Sequence, residues 1–227
     1  FDGECFSLDL TAHEPIKATC CSIEFHHEFD LHTRVMGNGY QSWTKSEEHR
    51  VFERMHDLSH VPNRIVDRFA LDAMGDYRFI EYDMHRGCFH GFTYATTRAN
   101  RYTSEITLIG SLDESNGFTL INIDARAGVI TLQSECPNRT LDAGETIQLC
   151  RYAIISGQPD DVFDRYFELA GISARPAQPL CGFTSWYRHY DSIDEEKLIA
   201  DIASTTAVME NLDTQGLQQV FQIDDGW

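Results

Sequence analysis

Nothing in the chain approaches the roughly 20 consecutive apolar residues that a membrane-spanning helix requires. The opening Phe1-Asp2-Gly3-Glu4 carries none of the basic, apolar or cleavage regions of a secretory leader. Positive charge is scarce: 18 Lys and Arg stand against 36 Asp and Glu, for a net charge of −18. Such a surface repels nucleic acid and anionic membranes and leaves neutral ligands open, sugars among them. Seven cysteines (Cys5, Cys20, Cys21, Cys88, Cys136, Cys150 and Cys181) form no C-x-x-C pair, and an odd count does not fill a disulfide framework. Reduced thiols in a cytoplasmic protein are the expectation. Metal-ligand spacing is missing too. His26-His27 with His32, and His85 with His90, lack a completing Cys or carboxylate, and strand neighbours face opposite sides, so no metal and no cofactor is expected.

What is present is enough apolar material, 42% of 227 residues, to fill a core. From Phe6 to Ser156 short apolar runs alternate with turn residues, the pattern of an antiparallel β-sandwich. The clearest strands are Tyr77–Tyr82, Phe89–Tyr94, Glu105–Ile109, Phe118–Ile123 and Thr146–Leu149. Asn116-Gly117, Ala127-Gly128 and Asp142-Ala143-Gly144 punctuate them as turns. Glu47-Glu48-His49-Arg50 reads as a solvated helical or loop face. After Pro159 the period becomes helical, with Val162, Phe163, Tyr166, Phe167 and Ala170 on one face and Gly171 as the stop. Arg175-Pro176-Ala177-Gln178-Pro179 reads as a stiff linker. The expected domains are therefore residues 1–157 (β-sandwich), 158–179 (connecting helix and linker) and 180–227.

The last stretch reads as strand, helix, strand. Gly182–Tyr187 forms the first strand; Ser192 and Glu195 form a capping box; Leu198, Ile199, Ile202, Met209 and Leu212 form a buried stripe; Gln219–Ile223 forms the second strand. A unit of this kind implies a parallel sheet, which needs cover and neighbours that the remaining residues do not supply. The chain is therefore expected to be the front portion of a longer protein. Asp224-Asp225-Gly226-Trp227 sits at the carboxyl end of the second strand, where parallel-sheet enzymes build their sites. A carboxylate pair suits vicinal sugar hydroxyls, and the faces of Trp186, Tyr187 and Trp227 suit the apolar side of a pyranose. Taken alone, Asp-Asp-Gly is ordinary loop composition, and Trp43 and Trp186 read as core anchors.

Three segments, taken together and in order, change that balance: Asn38-Gly39-Tyr40-Gln41-Ser42-Trp43, Cys181-Gly182-Phe183-Thr184-Ser185-Trp186-Tyr187 and Phe221-Gln222-Ile223-Asp224-Asp225-Gly226-Trp227. They resemble the melibiase-type α-galactosidases of glycoside hydrolase family 36, in which a β-supersandwich precedes a (β/α)8 TIM barrel. The resemblance implies a fold in which 180–227 opens that barrel. It implies that Trp43 reaches into the sugar site, Trp186 forms its wall, and Asp224 and Asp225 bind galactose hydroxyls. It also implies that the nucleophile and acid/base are two later aspartates outside this chain, so that the chain by itself is inactive. Substrates would be α-galactosides, cleaved with retention by an enzyme that works as a homo-oligomer. Relatives carry GWCSWY where this chain has Gly182-Phe183-Thr184-Ser185-Trp186-Tyr187, which keeps an aromatic and exchanges a small apolar contact for Thr. A raffinose-synthase-type galactosyltransferase and an α-N-acetylgalactosaminidase fit the same segments. The reading from another class is a carbohydrate-binding sandwich module without catalysis, against which the parallel unit from Leu180 onward speaks.

Overall fold

The structure, a computed structural model, describes residues 4–40, 46–54, 64–65, 68, 85–136, 138–176, 178–213 and 216–225. The expected strand Tyr77–Tyr82 lies outside them. The chain divides after Ser173 into two compact units.

The first unit is built from antiparallel strands: β1 (Cys5–Thr11), β2 (Ile16–Lys17), β3 (Cys20–His26), β4 (Arg34–Gly37), β5 (Glu47–Arg50) and β6 (Cys88–Phe92). They continue with β7 (Tyr94–Arg98), β8 (Ile106–Ser111), β9 (Thr119–Asp124), β10 (Val129–Glu135), β11 (Thr140–Leu141) and β12 (Thr146–Gly157). One sheet runs β1-β12-β8-β7-β4-β5, the other β3-β10-β9-β6, and β11-β2 forms a small ribbon. Val35, Ala95, Ile109, Cys150 and Tyr152 of the first sheet pack against Cys21, Phe89, Ile121, Ile123, Ile130 and Leu132 of the second, which makes the pair a β-sandwich. Turn chemistry sets the hairpins. Between β9 and β10 the Asp124 carboxylate accepts the N–H groups of Arg126 (3.0 Å) and Ala127 (2.9 Å), and Gly128 takes the left-handed φ of 68° that closes the turn.

Two sequence readings change here. Phe89–Tyr94 is not one strand. The chain passes from β6 in one sheet to β7 in the other through Thr93, whose φ of 65° is costly for a β-branched residue. Bonds into both sheets hold it: its N–H donates to the Thr119 carbonyl (3.2 Å) and its carbonyl accepts from Ser111 N–H (2.7 Å). Glu47-Glu48-His49-Arg50 is strand β5 rather than a solvated face. His49 is buried against Phe89, and Glu48 accepts from Arg34 of the adjacent β4 (2.8 Å) and forms an ion pair with Arg98 of β7, one strand further in (2.5 Å).

Helix α1 (Pro159–Leu169) starts on a proline, which suits the first helical position, and Gly171 at φ 70° ends it. Val162 and Tyr166 pack on Leu108, Ala153 and Ile155, so the first sheet is covered on its second face as well. Phe167 of the expected face is exposed. The Tyr166 ring fits because β8 carries Gly110, where a Cβ would come within 2.6 Å of the ring edge.

The second unit holds β13 (Leu180–Thr184), α2 (Trp186–His189), α3 (Glu195–Met209) and β14 (Gln218–Gln222). The two strands pair in parallel, Leu180 opposite Gln218 through Thr184 opposite Gln222. Trp186 and Tyr187 are thus helical and not part of the first strand. The cap of α3 is Asp194, whose side chain accepts the Lys197 N–H at 2.9 Å, in place of the expected Ser192 box. Of the expected stripe only Met209 is buried; Ile199 (60%), Ile202 (45%) and Leu212 (53%) are exposed, because a two-stranded sheet is too narrow to cover it. Among the described residues no helix is long and apolar enough to cross a membrane.

Burial pushes the Tyr152 phenol up to about 12 and, together with the neighbouring Cys21, the Cys150 thiol up to about 12. Both folded values lie above the unfolded ones, so the stability these groups lend is complete at neutral pH and is lost as pH rises toward about 12. Tyr152 also shares a 2.7 Å hydrogen bond with Ser134. Tyr152→Phe is expected to lower stability by about 1 kcal/mol at neutral pH. It should also flatten the loss above about pH 10. Urea unfolding at the two pH values measures both effects.

Candidate functional site

The carboxyl ends of β13 and β14 form the candidate site, and short-range hydrogen bonds hold them in register. The Ser185 N–H donates to the Gln222 carbonyl (3.2 Å), and the Asp224 N–H donates to Ser185 Oγ (3.0 Å). Ser185 is fully buried. Thr184 Oγ1 donates to Asp224 Oδ2 at 2.9 Å, and the Asp225 N–H donates to Asp224 Oδ1 at 2.8 Å. Just below, Phe183 and Phe221 stack with ring centroids 5.0 Å apart. Gly182 faces Val220, and a Cβ there would lie 1.9 Å from the Val220 carbonyl oxygen, so no side chain fits.

The two carboxylates therefore differ in kind. Asp224 is half-buried with one donor on each oxygen, leaving the remaining lone pairs for a ligand. Asp225 is exposed at the strand end. Trp186 follows Ser185 directly and starts α2 half-buried, its ring edge-on to Tyr190 at 5.4 Å. Tyr187 is 79% exposed. Tyr190 ends α2 at φ 51°, a strained conformation for a non-glycine residue, with its N–H on the Trp186 carbonyl (2.8 Å). Helix α3 fixes α2 through Asp201, 2% exposed, which accepts from Arg188 (2.8 Å) and His189 (2.6 Å). At the α3 start, hydrogen bonds from Lys197 hold the Asp194 carboxyl below its ordinary range.

Trp186, Asp224 and Asp225 thus share one end of the parallel pair, whereas Trp43 lies outside the described residues. The sequence assigned Thr184 only an exchanged apolar contact and Ser185 no role of its own. Thr184 does more than exchange a small apolar contact, since its hydroxyl binds the first carboxylate. The available signal was a hydroxyl pair at the end of a strand that precedes an acidic pair at the end of the next. Among the described residues no group of three or more His, Cys, Asp or Glu side chains converges on a metal position. The seven cysteines are free thiols.

The architecture is a sandwich of antiparallel sheets with a separate parallel strand–helix–strand unit, and the chain has a fold likeness to a solved structure. An α-galactosidase from Thermus thermophilus in complex with stachyose matches 99% of this chain and 44% of its own, at 18% identity and a TM-score of 0.55. At that identity the likeness is one of fold, and the chain spans less than half of the Thermus enzyme. α-Galactosidases from Lactobacillus brevis (10% identity, 91% of this chain, 25% of that one, TM-score 0.46) and Geobacillus stearothermophilus also match. The latter, in complex with 1-deoxygalactonojirimycin, gives 14% identity over 91% of this chain and 26% of its own, with a TM-score of 0.45. No protein-family model and no curated protein matches the chain.

Ser185→Ala removes the acceptor of the Asp224 N–H at a fully buried position. A stability loss of about 1–3 kcal/mol is expected, together with faster hydrogen exchange at the Asp224 amide. Amide exchange followed by NMR reads both the local and the global effect.

Proposed function

We propose that this chain is the sugar-recognising front portion of a retaining, exo-acting α-galactosidase of glycoside hydrolase family 36. The observation that carries the reading is the parallel unit whose hydroxyl-bearing strand end, Thr184-Ser185, holds Asp224 and leaves Asp225 exposed. The fold likeness to the Thermus enzyme along 99% of the chain supports it. In this reading residues 1–157 form the sandwich, 158–179 the connection, and 180–227 the opening of a (β/α)8 barrel.

Each residue then has a role. Asp224 and Asp225 accept hydrogen bonds from vicinal hydroxyls of a terminal galactosyl group, and Asp224 is oriented for this by Thr184. Trp186 forms the wall against the apolar face of the pyranose, and Trp43 is the second aromatic assigned to sugar binding. These four groups bind and orient. Cleavage is the work of two further carboxyl groups on later strands of the whole enzyme, about 5–5.5 Å apart. One attacks the anomeric carbon as the other protonates the leaving oxygen, and water then releases galactose from the covalent intermediate with net retention. The substrates are α-galactosyl oligosaccharides of the raffinose and stachyose type, the enzyme is a cytoplasmic homo-oligomer, and no metal or cofactor takes part.

The test is an assay of the complete gene product on an α-galactoside and on the matching α-N-acetylgalactosaminide. Hydrolysis of the first is expected, with Asp225→Asn lowering kcat/KM by roughly 100-fold as charge-assisted bonds to the sugar are lost. Galactose binding without hydrolysis of either substrate would replace this reading with that of a binding module.

A further inference from the structure

Two connected hollows open on the rim of the sandwich unit, where the β3–β4 loop (27–33) faces the β7–β8 loop (99–105). One encloses about 740 Å³ and the other about 490 Å³, and His32, Asn100 and Tyr102 line both. These volumes fall in the range that holds small organic ligands.

At the junction stands Tyr102, 81% exposed. The Asn100 carboxamide oxygen accepts the N–H groups of Tyr102 (2.9 Å) and Thr103 (3.2 Å), which fixes the turn that carries the ring. The Arg101 guanidinium lies 4.6 Å from the ring centroid and donates to the Tyr102 hydroxyl. The guanidinium thus stands over one side of the ring, and at 81% exposure the ring remains open to solvent. A fixed aromatic face binds a flat apolar surface at low entropic cost.

The charges around it decide what kind of molecule fits. Arg34 and Arg98 are both engaged by Glu48, and Arg50 by Glu53 at 3.6 Å. An anion would meet Glu28 and Glu105 on the walls, in a chain of net charge −18. A cation seeking the Tyr102 ring would meet the Arg101 guanidinium already there. A neutral polyol has neither conflict. Carboxylates accept its hydroxyls, His27 and His32 donate or accept, and the exposed ring takes the CH side of a pyranose.

We propose that this groove is a second carbohydrate site, which takes a neutral oligosaccharide over Tyr102. It does not depend on the galactose-site reading, since every residue that lines it belongs to the first unit. The experiment titrates the 227-residue chain with maltotriose, which has no galactosyl group, and with raffinose, following amide shifts by NMR. Binding of at least one sugar is expected to shift the 99–105 and 27–33 amides. Tyr102→Ala is expected to weaken it roughly tenfold or more, with the melting temperature unchanged. Asp225→Asn should leave the sugar-induced shifts of the 99–105 and 27–33 amides intact, whatever it does to raffinose at the galactose site. Absence of binding by both sugars, unaltered binding in Tyr102→Ala, or loss of those shifts in Asp225→Asn alone overturns the groove. The last of these outcomes would at the same time support the galactose site, so the two readings fail separately.

Discussion

Strand β12 is the element on which the sandwich depends, because it is buried on both faces. It pairs with β1 on one edge and β8 on the other. Its side chains alternate between two cores: Cys150 and Tyr152 point between the sheets, while Ala153 and Ile155 meet α1. A one-residue slip would exchange the two sets and place the Tyr152 phenol against the helix, so the register is fixed by what each face accepts. The helix follows from the same constraint. Without Val162 and Tyr166 the second face of the sheet would be apolar and wet, and Gly110 on the adjacent strand leaves the space that Tyr166 needs.

This explains which parts of the sandwich were legible in the sequence. Runs such as Thr119–Asp124, with Asn116-Gly117 before and Gly128 after, carry both period and punctuation, and the strands fall where those signals stand. Thr93 was not legible because Phe89 to Tyr94 is unbroken in composition. The break is a change of sheet, paid for by bonds to Ser111 and Thr119 that only the folded chain can supply. Strand β5 was hidden for a different reason. Four polar residues in a row look solvated, yet Glu48 forms ion pairs with Arg34 of β4 and Arg98 of β7, and His49 lies flat on Phe89. Charge patterns report solvation only when their partners are also outside.

In the second unit the legible features were the ones with a motif. The acidic pair does follow a parallel strand, and Trp186 does stand at the same strand ends. What could not be read was the work of the hydroxyls, because a Thr-Ser dipeptide has no periodic signature and acts only through the neighbouring strand. The α3 stripe was misjudged for a physical reason too. Amphipathic spacing states which face seeks cover and says nothing about how much cover exists, and two strands supply little. Buried Asp201 then anchors the helix instead, through Arg188 and His189.

The asymmetry between the two carboxylates bears on the proposed function. A sugar site must hold its acceptors still before the ligand arrives, since ordering them on binding would subtract from affinity. Asp224 meets that condition through Thr184 on one oxygen and the Asp225 N–H on the other, and the second of these bonds also constrains the backbone that presents Asp225. The pair is thus one geometric unit with a fixed inner member and an exposed outer one. Ser185, fully buried, ties that unit to β13 at the point where Trp186 begins. The same buried serine thus ties the acidic pair to the strand end that leads into Trp186, which is what the proposed roles of acceptors and wall require. That coupling is a stronger reason to place recognition here than the dipeptide Asp224-Asp225, which on composition alone is an ordinary turn.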